Sequence, residues 1–130
     1  MRLLALALVT ISVGAAQAGG REDRFERSLK MLGPSERLEQ LCDFTAMAQI
    51  RKDAKQYRPD RTVASARSEP VAIGEHAIEA KGAAFRSRKK WYALTYRCAA
   101  DAERLKVLSF HYTIGEEIPE AKWAGYGLWD

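Results

Sequence analysis

The chain has 130 residues and a formal net charge of +4 at pH 7. This length is enough for one export signal and one domain with a single core, but not for two domains. The positive charge is too small to indicate nucleic-acid binding by itself, and the chain contains no internal repeat or low-complexity tract.

The first 18 residues have the three-part layout of a cleavable export signal. Arg2 supplies a cation, an apolar run follows from Leu3 to Val13, and Ala16-Gln17-Ala18 form a small-residue cleavage site before Gly19. The apolar run is shorter than the ~20 residues that span a bilayer. We therefore predict a signal peptide over 1–18 that is cleaved after Ala18. We also predict a periplasmic location and a single domain over 19–130 without a transmembrane segment.

Two helices are predicted at the start of this domain. Phe25, Leu29 and Leu32 follow a helical spacing, and Gly33 is suited to end that helix in a left-handed conformation. Ser35 is a good N-cap for a second helix. The apolar face of the second helix is formed by five residues: Leu38, Leu41, Cys42, Thr45 and Ala48. Both helices are predicted to be packing elements.

The last third of the chain predicts an antiparallel sheet. Two strand-like runs surround a tight basic turn near Arg88-Lys89, and a third run follows over 105–115. Alternation places four residues of the second run on one face: Tyr92, Leu94, Tyr96 and Cys98. It does the same for four residues of the third run: Leu108, Phe110, Tyr112 and Ile114. The predicted fold is α+β, with an N-terminal helical pair packed on a three- to four-stranded antiparallel sheet.

The chain has only two cysteines, Cys42 and Cys98. In an oxidising compartment an even number of cysteines favours a disulfide, and two cysteines allow one intramolecular pairing. Only His76 and His111 could join them as metal ligands, and none of the four shows the short paired spacing of zinc sites. A catalytic thiol would need a nearby base and no oxidised partner. We therefore predict one helix-to-strand disulfide, no metal and no cofactor.

Several segments are distinctive in combination, although none of them is a chemical signature. They are LCDFTAMAQIRKD, YRPDRTVASA, GAAFRSRKKWYALTYRC, LKVLSFHYTIGEEIP and a terminal W-x2-YGLW. In these segments the chain resembles a family of exported Gram-negative proteins that is catalogued only as domain of unknown function 930. The resemblance covers Ser35 to Trp129. It implies an exported single domain with Cys42 and Cys98 at the family's cysteine positions, and it implies no activity.

Few side chains indicate catalysis. Glu75, His76 and Glu79 fall within one predicted helical turn, where a surface cluster is favoured over a partial metal site. His111 lies in a predicted strand beside aromatic residues, where a single hydrogen bond is its default role. The chain has no nucleophile-elbow sequence and no glycine-rich phosphate loop. A small periplasmic hydrolase that uses His111 with an acidic residue is therefore kept as the alternative function.

Two segments are better candidates for partner binding. The first is a hairpin tip with four cations beside an aromatic ring: Arg86, Arg88, Lys89, Lys90 and Trp91. The second is a C-terminal aromatic segment that either folds back over the sheet or forms a binding patch: Trp123, Tyr126 and Trp129. The hairpin charges have an alternative role, because they can simply protect the hairpin from aggregation. The sequence favours a non-enzymatic envelope module that binds a macromolecule or anionic ligand other than nucleic acid.

Overall fold

The structure is a computed structural model that describes residues 16–130. The apolar run Leu3–Val13 of the predicted export signal lies outside the described residues. Two helices come first, α1 over Ala16–Lys30 and α2 over Pro34–Asp53. Five strands follow: β1 (Pro59–Val63), β2 (Val71–Gly74), β3 (Ala77–Ser87), β4 (Lys90–Ala100) and β5 (Val107–Glu117). The chain ends in a short helix, α3 (Glu120–Trp123), and a 3₁₀ turn (Ala124–Tyr126).

All five strands form one antiparallel sheet. The order is β1-β3-β4-β5, and β2 pairs with the first part of β3 on the same side as β1. The predicted α+β class and antiparallel sheet are confirmed. The sequence also indicates a short strand at Thr62 to Ala66, and β1 corresponds to it over Pro59–Val63. The fifth strand, β2, is one more than the predicted three to four; its four residues are all exposed and therefore show no apolar alternation in the sequence.

The two faces of the sheet are covered by different segments. The helices cover one face, where the main core contains α2 residues such as Leu41 and Ile50 and strand residues such as Phe85 and Leu94. On this face Cys42 of α2 and Cys98 of β4 form the predicted disulfide, which is therefore confirmed. A second, smaller core lies on the opposite face beneath the C-terminal segment: Ala66, Ala84, Trp91, Ile118 and Leu128. Within residues 16–130, no helix is both long enough and apolar enough to cross a membrane.

The junction between the two helices differs from the prediction. Gly33 has a φ of −62°, outside the left-handed region, and it is the N-cap of α2 with Pro34 in the first turn. Proline is favoured there because its fixed φ is helical and its missing N–H needs no partner, so α2 begins before Ser35. The end of α1 is capped instead by the guanidinium of Arg37, which donates to the carbonyl oxygens of Leu29 (2.9 Å) and Leu32 (3.2 Å).

Strand β5 follows the predicted alternation except at Leu108, the first of the four residues that were predicted to share the core face. Ala99 pairs with Ser109 and Ala100 pairs with Val107, so Leu108 is an extra residue in a β-bulge. The bulge reverses the alternation, and Val107 packs on the core while Leu108 is 71% exposed. The prediction that Leu108 shares the core face is therefore wrong. The same prediction is confirmed for Phe110, Tyr112 and Ile114.

Candidate partner-binding hairpin

The turn between β3 and β4 presents two cations at its tip. Ser87 pairs with Lys90, so the loop consists of only Arg88 and Lys89. Both residues have positive φ angles, 52° and 65°. These angles are typical of a type I′ turn, in which Asn-Gly is the preferred pair because most side chains are strained at positive φ. The hairpin therefore holds exposed arginine and lysine where the backbone favours other residues.

Arg86, at the base of this turn, is engaged within the protein. Its guanidinium donates to both carboxylate oxygens of Asp60, at 3.0 and 2.9 Å. The guanidinium carbon also lies 5.9 Å from the ring centre of Trp91 and 5.8 Å from that of Trp129, within the range of cation–π attraction. The hydrogen bond from Arg86 lowers the pKa of Asp60, so this carboxylate stays charged at neutral pH. Arg86 thus joins β1, the hairpin and the C-terminal segment.

The C-terminal aromatic segment folds back over the sheet, which is one of the two alternatives that the sequence left open. Trp91 is fully buried, and its indole N–H donates to the carbonyl oxygen of Trp129 at 2.6 Å. The indole N–H of Trp123 donates to the carbonyl oxygen of Ile118 at 2.9 Å. Trp123 and Tyr126 are half-buried, whereas 45% of Trp129 remains exposed. Trp129 is therefore the aromatic residue of this segment that is most open to a partner.

Antiparallel pairing of β1 with β3 adds two arginines to the hairpin. Arg61 pairs with Arg86 across the strands, and the backbone N–H of Arg58 donates to the hydroxyl of Ser87 at 2.8 Å. Both arginines are exposed, but sequence reasoning missed them because it could not provide the register of β1. We call the resulting surface the cationic end of the sheet; it consists of Arg58, Arg61, Arg88, Lys89 and Lys90. Lys90 is partly neutralised, because its ammonium lies 3.6 Å from the Glu117 carboxylate.

His111 does not meet an acidic residue in the described part of the chain. It lies on an exposed position of β5 opposite Arg97, and Arg97 lies opposite Glu79 on the next strand. His111 and Glu79 line one depression of about 150 Å³, but the Arg97 guanidinium pairs with the Glu79 carboxylate at 3.5 Å. Among the side chains that the structure describes, no carboxylate oxygen lies within 4.0 Å of the His111 ring nitrogens. The geometry therefore provides no acid–base pair at this histidine.

The prediction that Glu75, His76 and Glu79 share a helical turn is wrong. Glu75 and His76 form the turn between β2 and β3, because that segment pairs as a hairpin. The Arg104 guanidinium donates to His76 Nδ1 (3.3 Å) and to the carbonyl oxygens of Pro34 (2.7 Å) and Glu75 (2.9 Å). His76 therefore belongs to a structural junction that joins two turns to the start of α2. The side chains described by the structure form no group of three or more potential metal ligands.

Asp43 is a buried acidic residue that the sequence did not indicate. Asp43 of α2 is only 8% exposed, and the Tyr96 hydroxyl donates to its carboxylate at 3.0 Å. Burial raises the pKa of Asp43 to about 7, against the opposing effect of this hydrogen bond. Asp43 lies beside Cys42 in the sequence, but no pattern distinguishes it from a solvent-facing helical aspartate. Its position between α2 and the sheet makes it an element of the core rather than of a partner surface.

Comparison with known proteins identifies a family. The sequence model described as Domain of Unknown Function (DUF930) matches residues 29–128, which is well over half of the chain. No curated protein and no solved structure matches the chain. The match includes both cysteines, the hairpin and most of the C-terminal aromatic segment, and the chain therefore belongs to the DUF930 family.

Proposed function

We propose that this protein is a non-enzymatic binding module of the cell envelope that holds an envelope macromolecule or anionic ligand, such as the headgroups of an anionic lipid surface, at the cationic end of its sheet. The phosphate or carboxylate groups of the partner would contact Arg88 and Lys89. Arg58 and Arg61 would extend the contact along β1, and Trp129 would contact an apolar or ring-shaped part of the partner. Arginine and lysine suit such groups because they form charge-assisted hydrogen bonds with them.

The observation that carries this proposal is the composition of the two-residue turn. Non-glycine residues at positive φ cost on the order of 1 kcal/mol or more each, and such strained residues are enriched at functional sites. Arg104 also has a positive φ, 57°, but the hydrogen bonds of its guanidinium account for it. Arg88 and Lys89 occupy the two positions of the turn that have positive φ. Both residues are exposed, so their side chains do not pack in the core. Binding of an anion would account for cations at these positions.

The base of the hairpin supports the same interpretation. Arg86 is already paired with Asp60 and lies against Trp91 and Trp129, so it fixes the hairpin relative to the C-terminal segment. A fixed hairpin loses little conformational entropy when it binds a partner. Within the proposal, Arg86, Trp91, Trp123 and Tyr126 are positioning residues, while Arg88, Lys89, Lys90 and Trp129 contact the partner.

Export to the periplasm with cleavage after Ala18 is part of the proposal. The disulfide supports it, because disulfides persist in oxidising compartments and are rare in the bacterial cytoplasm. N-terminal sequencing of the protein from a periplasmic fraction should give Gly19 as the first residue. Recovery of the protein with Met1 intact would contradict the predicted export signal.

The pairing of His111 with Arg97 favours the binding proposal over the hydrolase alternative. His111 faces Arg97 rather than a carboxylate. The cleft of about 250 Å³ between α2 and β2 contains Glu39 and Glu69 but not a histidine. Acid–base catalysis needs each group within hydrogen-bonding reach of the proton that it transfers, with both groups lining one substrate site. These observations support binding as the proposed function.

A binding titration tests the proposal. The probe is a vesicle that contains phosphatidylglycerol, with phosphatidylcholine vesicles as the neutral comparison and lipopolysaccharide as a second anionic probe. We expect saturable binding to at least one anionic probe, which the Arg88→Glu/Lys89→Glu variant loses. Binding should also weaken as salt rises, because salt screens exposed charges.

A matched variant controls for overall charge. Arg27→Glu/Lys30→Glu reverses one arginine and one lysine that are exposed on α1. The end of α1 lies at the start of α2, whereas β1 lies alongside the second half of this 20-residue helix, near Phe44 and Arg51. We expect the control variant to bind almost as well as the unchanged protein. Equal losses in the two variants would show that only net charge matters and would overturn the assignment to the hairpin.

A further inference from the structure

The two edges of the sheet differ in how they are protected from pairing with another chain. One edge is formed by β1 and β2, which have five and four residues and a register irregularity each. β1 also begins with Pro59 and carries Asp60 and Arg61. Short strands, bulges, proline and charges are the devices that block edge-to-edge pairing. This edge is therefore well protected.

The other edge, formed by β5, lacks most of these devices. β5 has 11 residues, and from Val107 to Gly115 it contains no proline, lysine, arginine, aspartate or glutamate. Register shifts occur near both ends of the strand, but Ser109–Ile114 pairs with β4 without interruption. No strand of the described residues pairs with the outer side of β5. After β5 the chain continues toward the hairpin and away from the outer side of β5, because the N–H of Ile118 donates to the carbonyl oxygen of Trp91 in β4 at 2.8 Å.

We propose that β5 pairs with β5 of a second copy of this chain, antiparallel and about a two-fold axis. Pairing centred on His111 places Ser109 opposite Thr113 and Phe110 opposite Tyr112 of the other copy. Residues that face each other then lie on the same side of the joined sheet, as antiparallel pairing requires. Phe110 and Tyr112 form aromatic cross-strand pairs, which are among the favourable pairs in sheets.

The charges at the two ends of β5 are complementary in this arrangement. Lys106 precedes the strand, and Glu116 lies near its end, and both are exposed. Antiparallel pairing about His111 brings the end of β5 that carries Lys106 in each copy to the end that carries Glu116 in the other. Opposite charges at both ends favour this alignment, whereas parallel alignment would bring like charges together. A second copy therefore fits the charge pattern of the edge.

The protected edge limits the assembly to two copies. Once the two β5 strands are paired, the remaining edges of the joined sheet are the β1 and β2 edges of each copy. A two-fold contact that uses the same surface on both subunits is closed and generates no filament. The result is a dimer with one continuous ten-stranded sheet and the helices of both copies on the same side.

Two double variants of β5 test the pairing and its alignment. Ser109 and Thr113 are exposed on the face opposite the main core, so substitutions there leave the core packing unchanged. In Ser109→Lys/Thr113→Lys the introduced lysines oppose each other twice across the dimer. In Ser109→Lys/Thr113→Glu each introduced lysine opposes an introduced glutamate. Circular dichroism and thermal melting verify the fold of both variants, and sedimentation equilibrium over a series of protein concentrations measures dimer affinity.

We expect a concentration-dependent dimer for the unchanged protein with its disulfide intact. The lysine–lysine variant should dimerise roughly tenfold more weakly or worse, and the lysine–glutamate variant should recover most of the affinity. Mixing the lysine–lysine variant with Ser109→Glu/Thr113→Glu should restore dimers in the mixture. A monomer at every concentration, an open-ended assembly, or equal dimer affinities of the lysine–lysine and lysine–glutamate variants would each overturn the proposal.

Discussion

Replacement of both cysteines, Cys42→Ala with Cys98→Ala, is expected to lower the free energy of unfolding by about 4 kcal/mol. The disulfide joins residues 56 positions apart, and in the chain-entropy model a loop of this length restricts the unfolded state by about that amount. Domains of this size have total stabilities of only about 5–15 kcal/mol. Urea unfolding followed by circular dichroism measures the difference. The double variant should therefore have a much lower unfolding midpoint.

The unchanged protein under reducing conditions serves as the control for this comparison. Both sulfurs are buried between α2 and β4, so reduced protein should resemble the double variant in stability. Reduction should release no metal, because the sulfurs bond to each other. If the double variant lost less than about 1 kcal/mol of its free energy of unfolding relative to the unchanged protein, the disulfide would not be what holds α2 to the sheet.

Stability is expected to fall as pH rises from about 4 to 8, because of Asp43. Burial raises the pKa of this carboxyl in the folded protein to about 7, whereas an aspartate in the unfolded chain has a pKa near 3.8. Between these two values the folded state holds a proton that the unfolded state has lost. The stabilisation is therefore complete below pH 4 and is lost as pH rises through 7. The difference in pKa corresponds to about 4 kcal/mol.

Asp43→Asn is the variant that tests this pH dependence. Asparagine can still accept the hydrogen bond from the Tyr96 hydroxyl but cannot ionise. Its free energy of unfolding should change much less between pH 4 and 8, and at pH 8 it should exceed that of the unchanged protein. Glu39, one helical turn away, has a pKa that is raised by burial, so a smaller slope of the same sign should remain. If the free energies of unfolding of the two proteins changed equally with pH, Asp43 would not be the cause of the pH dependence.

Features with a regular period were predictable from the sequence. The alternation of Tyr92, Leu94, Tyr96 and Cys98 correctly identified the core face of β4, because the register shift between Tyr92 and Leu94 places its extra residue on β5 and leaves the period of β4 unbroken. The disulfide was predictable because the chain allows only one pairing. Leu108 was placed on the wrong face because a single bulged residue reverses a period of two. β2 was missed because four exposed residues leave no periodic signal.

The candidate site could be predicted only in part, because its contacts depend on tertiary pairing. The sequence identified the basic hairpin and the C-terminal aromatic segment. It could not show that Asp60 lies beside Arg86, because that contact needs the register of β1 on β3. Nor could it distinguish Asp43 from an exposed helical aspartate, since one carboxylate does not change the apolar period of α2. In both cases packing, rather than local pattern, determines the role of the residue.

The strained turn makes it possible to separate binding from stability. Asn-Gly is the preferred pair for a type I′ turn, so Arg88→Asn/Lys89→Gly should relieve the strain at both positive φ angles. The fold should then gain on the order of 1 kcal/mol. The same change removes the two cations at the tip. If the two cations of the turn bind the partner, the variant should gain stability and lose affinity for that partner.

Titration of the Arg88→Asn/Lys89→Gly variant with phosphatidylglycerol vesicles and lipopolysaccharide is the most direct test of the proposed binding function. We predict that this variant melts at a higher temperature than the unchanged protein and has lost most of its low-salt affinity for the anionic probe. Arg27→Gln/Lys30→Gln, which removes the same charge from α1, should keep that affinity. If the variant is more stable and still binds every anionic probe as tightly as the unchanged protein, the cationic hairpin does not hold the partner.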